Sequence, residues 1–262
     1  MRSFTDKTEV VDGVIFELRI NARKPTDPAW ICLRKSPNMV ERYRALAPEL
    51  QGCRMVEVGV DQGGGTAFFL KLFKPAQLLA IELSDKPVST LTDFLAAHDK
   101  DRCVDVRWGL DQADSVEVPR VVDEIFEGTP LDIVVDDASH LLAQTTNTFE
   151  MLFPRLRPGG LYVIEDWSSE HLLEARFTAE MAANPEGELA MKVAGMSEIK
   201  YEMPMSFLIC QLLIASARNP ELISDIRVEK SICEIRRGVA DIEPATPIAD
   251  YVGDLGRWML KC

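Results

Sequence analysis

The sequence predicts an α/β protein: a Rossmann-like, doubly wound and mostly parallel sheet completed by an antiparallel closing strand pair. Three observations carry this expectation. From about Arg54 onward, short β-branched runs alternate with amphipathic segments, the pattern of βαβ units on a parallel sheet. The first run leads into a glycine-rich turn, Gly59-Val60-Asp61-Gln62-Gly63-Gly64-Gly65, where a ligand can approach the backbone closely. Two later runs end in acids, Val134-Val135-Asp136-Asp137 and Val163-Ile164-Glu165-Asp166, and in such sheets ligands bind outside the carboxyl ends of the strands.

Taken in order, residues 1–49 read as a segment of their own. It holds a hairpin at Asp12-Gly13, a Pro-punctuated stretch over 21–37 and a helix over 38–47. Strands follow at 55–60, 78–83, 104–109, 131–137 and 161–165. Helices fill the intervals at 65–73, 87–98, 119–126 and 142–156, with apolar residues three and four apart; two of them open on Pro, which suits a first helical turn. Pro158-Gly159-Gly160 reads as a turn ending the fourth of these helices. Beyond Trp167 a polar stretch, 168–204, reads as a helix and a mobile connection, and 205–217 as a buried apolar helix. The closing antiparallel pair is expected at 225–228 and 231–236.

At 262 residues the chain can bury one sizeable core. Its hydrophobic fraction of 47% and charged fraction of 27% are those of a globular protein. A net charge of -13 and a pI near 4.8 argue against a nucleic-acid partner, which would need a clustered basic surface. Six scattered cysteines form no Cys-x-x-Cys pair and read as reduced thiols. The first residues lack the apolar core of a signal peptide. The longest apolar stretch, 207–215, is interrupted by Gln211 and too short to span a bilayer. A cytoplasmic protein with no membrane association is the expectation.

The glycine loop is not the dinucleotide fingerprint, because Asp61 stands where the second glycine would face a pyrophosphate. S-adenosylmethionine has no phosphate, and its amino group and sulfonium are cationic, so Glu57 and Asp61 attract it where they would repel NAD. Its methionine end is expected near Glu57, Gly59, Asp61 and Gly65, and its ribose on Glu82 at the end of the second strand. Its adenine is expected near Asp111 and Gln112, which read equally well as an ordinary polar loop. Asp137, Glu165 and Asp166 are hard oxygen donors of the kind that hold Mg²⁺ or Mn²⁺, and His140, three residues past Asp137, is placed for proton transfer. Asp136 points to the opposite face of its strand and is expected to shape the cofactor side. Bland alternatives stand beside these: Glu165 and Asp166 paired with Arg155 or Arg157 on the surface, and Trp167, Tyr43 and Tyr201 either stacking on an acceptor or packing in the core.

The order of these features over 54–167 resembles class I S-adenosylmethionine-dependent methyltransferases. More narrowly, Asp111-Gln112, Asp136-Asp137-Ala138-Ser139-His140, Phe153-Pro154-x-Leu156-x-Pro158-Gly159-Gly160 and Ile164-Glu165-Asp166 resemble the metal-dependent sugar O-methyltransferases of macrolide and methylated-polysaccharide biosynthesis. The resemblance implies Mg²⁺ on Asp137, Glu165 and Asp166, His140 as base, a carbohydrate or glycoside acceptor, and a homo-oligomer. Ala138 stands where that family commonly has Gly. The expected organisation is 1–49 covering the acceptor, 50–240 as the methyltransferase domain with 168–204 as a lid hinged at Gly187 and Gly195, and 241–262 as a tail. Competing readings are a catechol-type enzyme, whose base would be a lysine where His140 stands; a nicotinamide oxidoreductase, opposed by Asp61; and a silent S-adenosylmethionine-binding protein, opposed by the acid-acid-His set.

Overall fold

The computed structural model describes residues 7–18, 29–169, 171–172, 175, 179, 182–183, 203–243 and 246–253. The parallel part of the sheet is built from β4 (Arg54–Val58), β5 (Gln77–Glu82), β6 (Val104–Trp108), β7 (Leu131–Asp136) and β8 (Leu156–Glu165). An antiparallel pair, β9 (Ile223–Val228) and β10 (Ile232–Arg237), completes seven strands in the order β6-β5-β4-β7-β8-β10-β9. The order reverses between β4 and β7, so a crevice opens over their carboxyl ends. The helices between them are α2 (Gly64–Phe73), α3 (Ser89–His98), α4 (Glu117–Phe126) and α5 (Leu142–Leu152); α6 (Ser206–Arg218) precedes the closing pair.

Three expected boundaries differ. α3 starts at Ser89, two residues after its expected opening at Pro87. Pro158-Gly159-Gly160 does not end the helix: α5 ends in a 3-10 turn, Phe153–Arg155, and β8 already begins at Leu156. The three residues lie in the strand, where the pairing with β7 shifts register between Leu131 and Ile133, an irregularity that accommodates a proline lacking the ladder N–H. α4 starts at Glu117, before Pro119, because Asp114 Oδ1 accepts from the Val116 and Glu117 amides, both at 2.9 Å, satisfying donors the first turn leaves open.

The N-terminal segment forms a three-stranded sheet of β1 (Lys7–Val11), β2 (Val14–Leu18) and β3 (Ile31–Leu33). Asp12 (φ 48) and Gly13 (φ 79) make the expected hairpin turn with both central residues left-handed. Helix α1 (Pro37–Leu50) is capped by Ser36, whose hydroxyl accepts from the Met39 amide, and buries Met39, Val40, Tyr43, Leu46 and Leu50 along one stripe. Val40, Tyr43, Leu46 and Leu50 of that stripe, with Phe16 and Leu33, join one apolar cluster with Phe68, Phe69 and Phe73 of α2 and with Met55, Ile133 and Val163 of the sheet. A second cluster on the other sheet face gathers α4, α5 and α6. Within 241–262, Ile248–Val252 forms helix α7, whose Ile248 and Val252 are buried in that second cluster. The expected lid, including Gly187, Gly195 and Tyr201, falls mostly outside the described residues. Among the described residues no helix is long and apolar enough to cross a membrane.

Candidate active site

Strand alternation sorts the acids by face. β4 pairs with β7 and β7 with β8 in parallel, Val58 opposite Asp136 and Asp136 opposite Ile164. Residues one place away therefore share the other face, and Glu57, Asp137 and Glu165 all turn toward the N-terminal segment. Asp136 turns away: it is buried, its Oδ2 accepts from the Tyr162 hydroxyl at 3.1 Å and its Oδ1 from Gln112 Nε2 at 3.4 Å. Burial pushes its pKa up to about 7 against the opposing Tyr162 hydrogen bond.

The interior patch on the N-terminal side has a cation that sequence reasoning missed. Lys35, in the link between β3 and α1, is buried; its Nζ lies 2.6 Å from Glu165 Oε1 and 3.0 Å from Asp137 Oδ2. Tyr43, fully buried on α1, donates its hydroxyl to the same Glu165 oxygen at 2.5 Å, so its role is interior packing and not acceptor stacking. Burial, then the charge of Asp137, raises the Glu165 pKa to about 8. Glu57 is likewise pushed up to about 8 by burial, although the Thr66 hydroxyl donates to it at 2.6 Å.

At the open side, one ligand atom each from Asp137, His140 and Asp166 lie within 4.8 Å of one another, all three residues half-buried. His140 Nε2 is 3.8 Å from Asp137 Oδ1. His140 (φ 54) and Asp166 (φ 51) both adopt the left-handed conformation, turning each chain off its strand. The Asp166 pKa is raised by burial first and then by the Asp137 charge. The two carboxylates are hard oxygen donors that fit a divalent cation, with the His140 imidazole beside them. Glu165, expected as a third ligand, faces Lys35 and Tyr43 instead. Arg155 pairs with Asp123 and Arg157 with Asp132, so neither takes Glu165 or Asp166. Trp167 is anchored, its Nε1 donating to the Glu229 carbonyl at 2.7 Å.

Beside this lies a small cleft between β3 and the glycine loop, with Arg34, Lys35, Glu57, Asp61, Gly65 and Asp137 among its lining residues. Gly59 (φ +93) has no room for a side chain: a Cβ there would sit 2.3 Å from the Asp137 carbonyl oxygen. The loop is thereby pressed onto the end of β7. Glu82 Oε2 accepts from the Val60 and Asp61 amides at 2.9 and 3.0 Å, fastening the loop from the second strand. Asp61, expected to face a cationic ligand, already carries a cation, Arg34 Nη1 at 2.9 Å. Asp111 is exposed and accepts from the Ala113 amide. Gln112 is buried with its amide engaged at both ends, donating to Thr148 Oγ1 and accepting from the Ser139 amide; it braces the turn before His140 rather than presenting an adenine edge.

Residues 56–167 match the family described as Methyltransferase domain. Among curated relatives, the Mycinamicin VI 2''-O-methyltransferase of Micromonospora griseorubida is 35% identical over 127 residues, 45% of this chain and 28% of that protein. The 8-demethyl-8-alpha-L-rhamnosyl tetracenomycin-C 2'-O-methyltransferase of Streptomyces olivaceus is 32% identical over 124 residues, 45% of this chain and 29% of that protein. The matched stretch thus spans less than a third of either relative's own length. The MycE methyltransferase of the mycinamycin pathway, solved with Mg, SAH and mycinamycin VI, shares the fold: TM-score 0.52 at 24% identity, covering 78% of this chain and 50% of that one. The glycine loop and the strand order agree with these matches: residues 56–167 match a methyltransferase domain and lie in a Rossmann-like sheet.

Proposed function

We propose that the protein transfers a methyl group from S-adenosylmethionine to a sugar hydroxyl of a glycoside, oligosaccharide or polysaccharide precursor, with a divalent ion, Mg²⁺ or Mn²⁺, at Asp137 and Asp166. The observation that carries this reading is the convergence of Asp137, His140 and Asp166 beside the glycine-loop cleft. When bound, the ion supplies Lewis acidity that makes a hydroxyl a better proton donor. Asp137 and Asp166 orient that hydroxyl toward the cleft, and His140 takes its proton on Nε2 as the oxygen attacks the sulfonium methyl. The C–O bond forms while the C–S bond breaks, leaving a neutral thioether. Holding both reactants in line contributes up to about 7 to 11 kcal/mol, more than the roughly 3 to 5 of one general base.

A sugar acceptor is supported by relatives named as the 2'-O-methyltransferase of a rhamnosyl tetracenomycin and the 2''-O-methyltransferase of mycinamicin VI. A catechol-type site would need a free lysine as base. Lys35, the lysine nearest Asp137, is buried and committed to two carboxylates. We further take the protein to be cytoplasmic and homo-oligomeric, with 1–49 and 168–204 covering the acceptor. The decisive experiment compares S-adenosylmethionine with NAD by calorimetry, then screens glycosides by mass spectrometry for a gain of one methyl group with and without chelator. Binding of NAD in preference to S-adenosylmethionine, or methyl transfer untouched by excess chelator, would defeat the reading.

A further inference from the structure

A lysine in a protein interior is costly unless its charge is matched, because burial favours the neutral amine. Lys35 is matched twice, by Glu165 and Asp137, and its side chain is only 2% exposed. Its Nζ also lies 5.4 Å from the ring centroid of Phe69 and 5.8 Å from that of Tyr43, surfaces that favour a cation. Local chain geometry fixes it there. Ser36 and Pro37 begin α1 immediately after it. Just before it, β3 is seated on the glycine loop so tightly that a Cβ at Gly64 would stand 2.1 Å from the Cys32 carbonyl oxygen. The lysine therefore has little freedom to withdraw. Glu165 receives both Lys35 and Tyr43 on one oxygen and faces inward, while Asp166 faces His140 and Asp137 at the open side.

We propose that Lys35 is a positioning and charge-balancing residue of the acidic centre. It keeps Glu165 turned into the interior, holds one oxygen of Asp137, and so sets how strongly Asp137 and Asp166, beside His140, take a divalent ion. The inference rests on reading that cluster as a divalent-ion site. A unit positive charge close to a doubly charged ion opposes its binding, and an Asp137 oxygen given to Lys35 is one fewer for the ion. Without the ammonium both Asp137 oxygens are free, and Glu165 can turn toward Asp166.

The test measures Mn²⁺ binding to the whole chain by calorimetry and electron paramagnetic resonance, for wild type, Lys35→Met and Lys35→Arg. Methionine keeps the stem against Phe69 and Tyr43 and removes the charge. Lys35→Met should bind Mn²⁺ on the order of tenfold more tightly than wild type, and Lys35→Arg within about threefold of it. A lysine that merely packed would, on removal, leave affinity unchanged or lower. Equal or weaker binding by a folded Lys35→Met therefore overturns the proposal. If Lys35→Met is unfolded in chelator, Mn²⁺ should restore its structure, since the ion replaces the lost charge; a chain still unfolded at saturating Mn²⁺ also overturns it. A wild-type chain that takes no Mn²⁺ removes the divalent-ion reading itself, and the proposal with it.

Discussion

Replacing Gly64 by Ala sets two opposed effects against each other. Gly64 opens α2, and within a helix Ala is favoured over Gly by up to about 1 kcal/mol. The new Cβ, however, would stand 2.1 Å from the Cys32 carbonyl oxygen and 3.0 Å from the Leu33 Cα. Both neighbours are backbone, so relief requires β3 to retreat from the loop by roughly 1 Å, and a packed interior does not absorb such a shift freely. Leu33 is fully buried, a burial worth about 1.5 to 3 kcal/mol, and two residues on is Lys35 with its two carboxylates. The steric effect wins, and net destabilisation of about 1 to 3 kcal/mol is expected. For a domain of this size that is a fall in melting temperature of about 2 to 4 °C per kcal/mol. Thermal unfolding followed by circular dichroism, with denaturant titration as a check, reads it directly. A Gly64→Ala chain melting at or above the wild type would mean that helix propensity decides and that β3 is not seated on the glycine loop as described.

Three further outcomes follow from the site. His140→Asn, chosen because Asn tolerates the left-handed backbone at φ 54, should lower kcat by roughly 10² to 10⁴ while cofactor affinity stays within a few-fold; near-normal turnover would remove His140 as the base. Glu82→Ala frees the Val60 and Asp61 amides and should weaken S-adenosylmethionine binding by about 1 to 3 kcal/mol, and an unchanged titration would take Glu82 out of the site. Glu57 has a folded pKa of about 8 against an ordinary 4.5, so the folded state holds its proton more tightly. The resulting stabilisation is complete below about pH 4.5 and drains away as pH rises through about 8. The melting temperature should therefore fall between pH 6 and about pH 9, and Glu57→Gln should flatten that fall; parallel wild-type and variant curves would show that Glu57 does not titrate there.

Much of the sheet is legible in the sequence because β-branched runs of strand length admit little else: β4 to β8 lie within a few residues of expectation, as does the antiparallel pair. The acids of the open side are legible for the same reason, since they end those runs. What escapes is what distance in sequence hides. Lys35 and Tyr43 reach Glu165 across 130 and 122 residues, and nothing in Leu33-Arg34-Lys35-Ser36-Pro37 marks one of two adjacent cations as buried. A usable signal is arithmetic: Glu57, Asp137 and Glu165 fall on one strand face, and an interior face bearing three carboxylates demands a cation from whatever covers it. Gln112 deceived for the opposite reason, being a polar residue after a strand whose amide is spent inside the protein. Pro158-Gly159-Gly160 carries turn composition, and the β7 ladder skips from Leu156 to Leu161 around it, so the turn signal marks a bulge inside β8 and not the end of a helix.

Helix α1 is fastened to a strand formed almost two hundred residues later. Arg42 grips Glu234 of β10 through both of its oxygens, and Glu49 accepts from Arg236 Nη1 at 2.6 Å. During synthesis the helix can pack on α2 and the early strands as they emerge, but these ion pairs close only once β10 has left the ribosome. Until then β8, which β10 pairs in antiparallel fashion, presents an unpaired strand edge. Contacts of such long sequence separation fold slowly and leave sticky intermediates exposed. Chains stalled or truncated ahead of residue 232 should therefore depend on chaperones far more than the finished protein does.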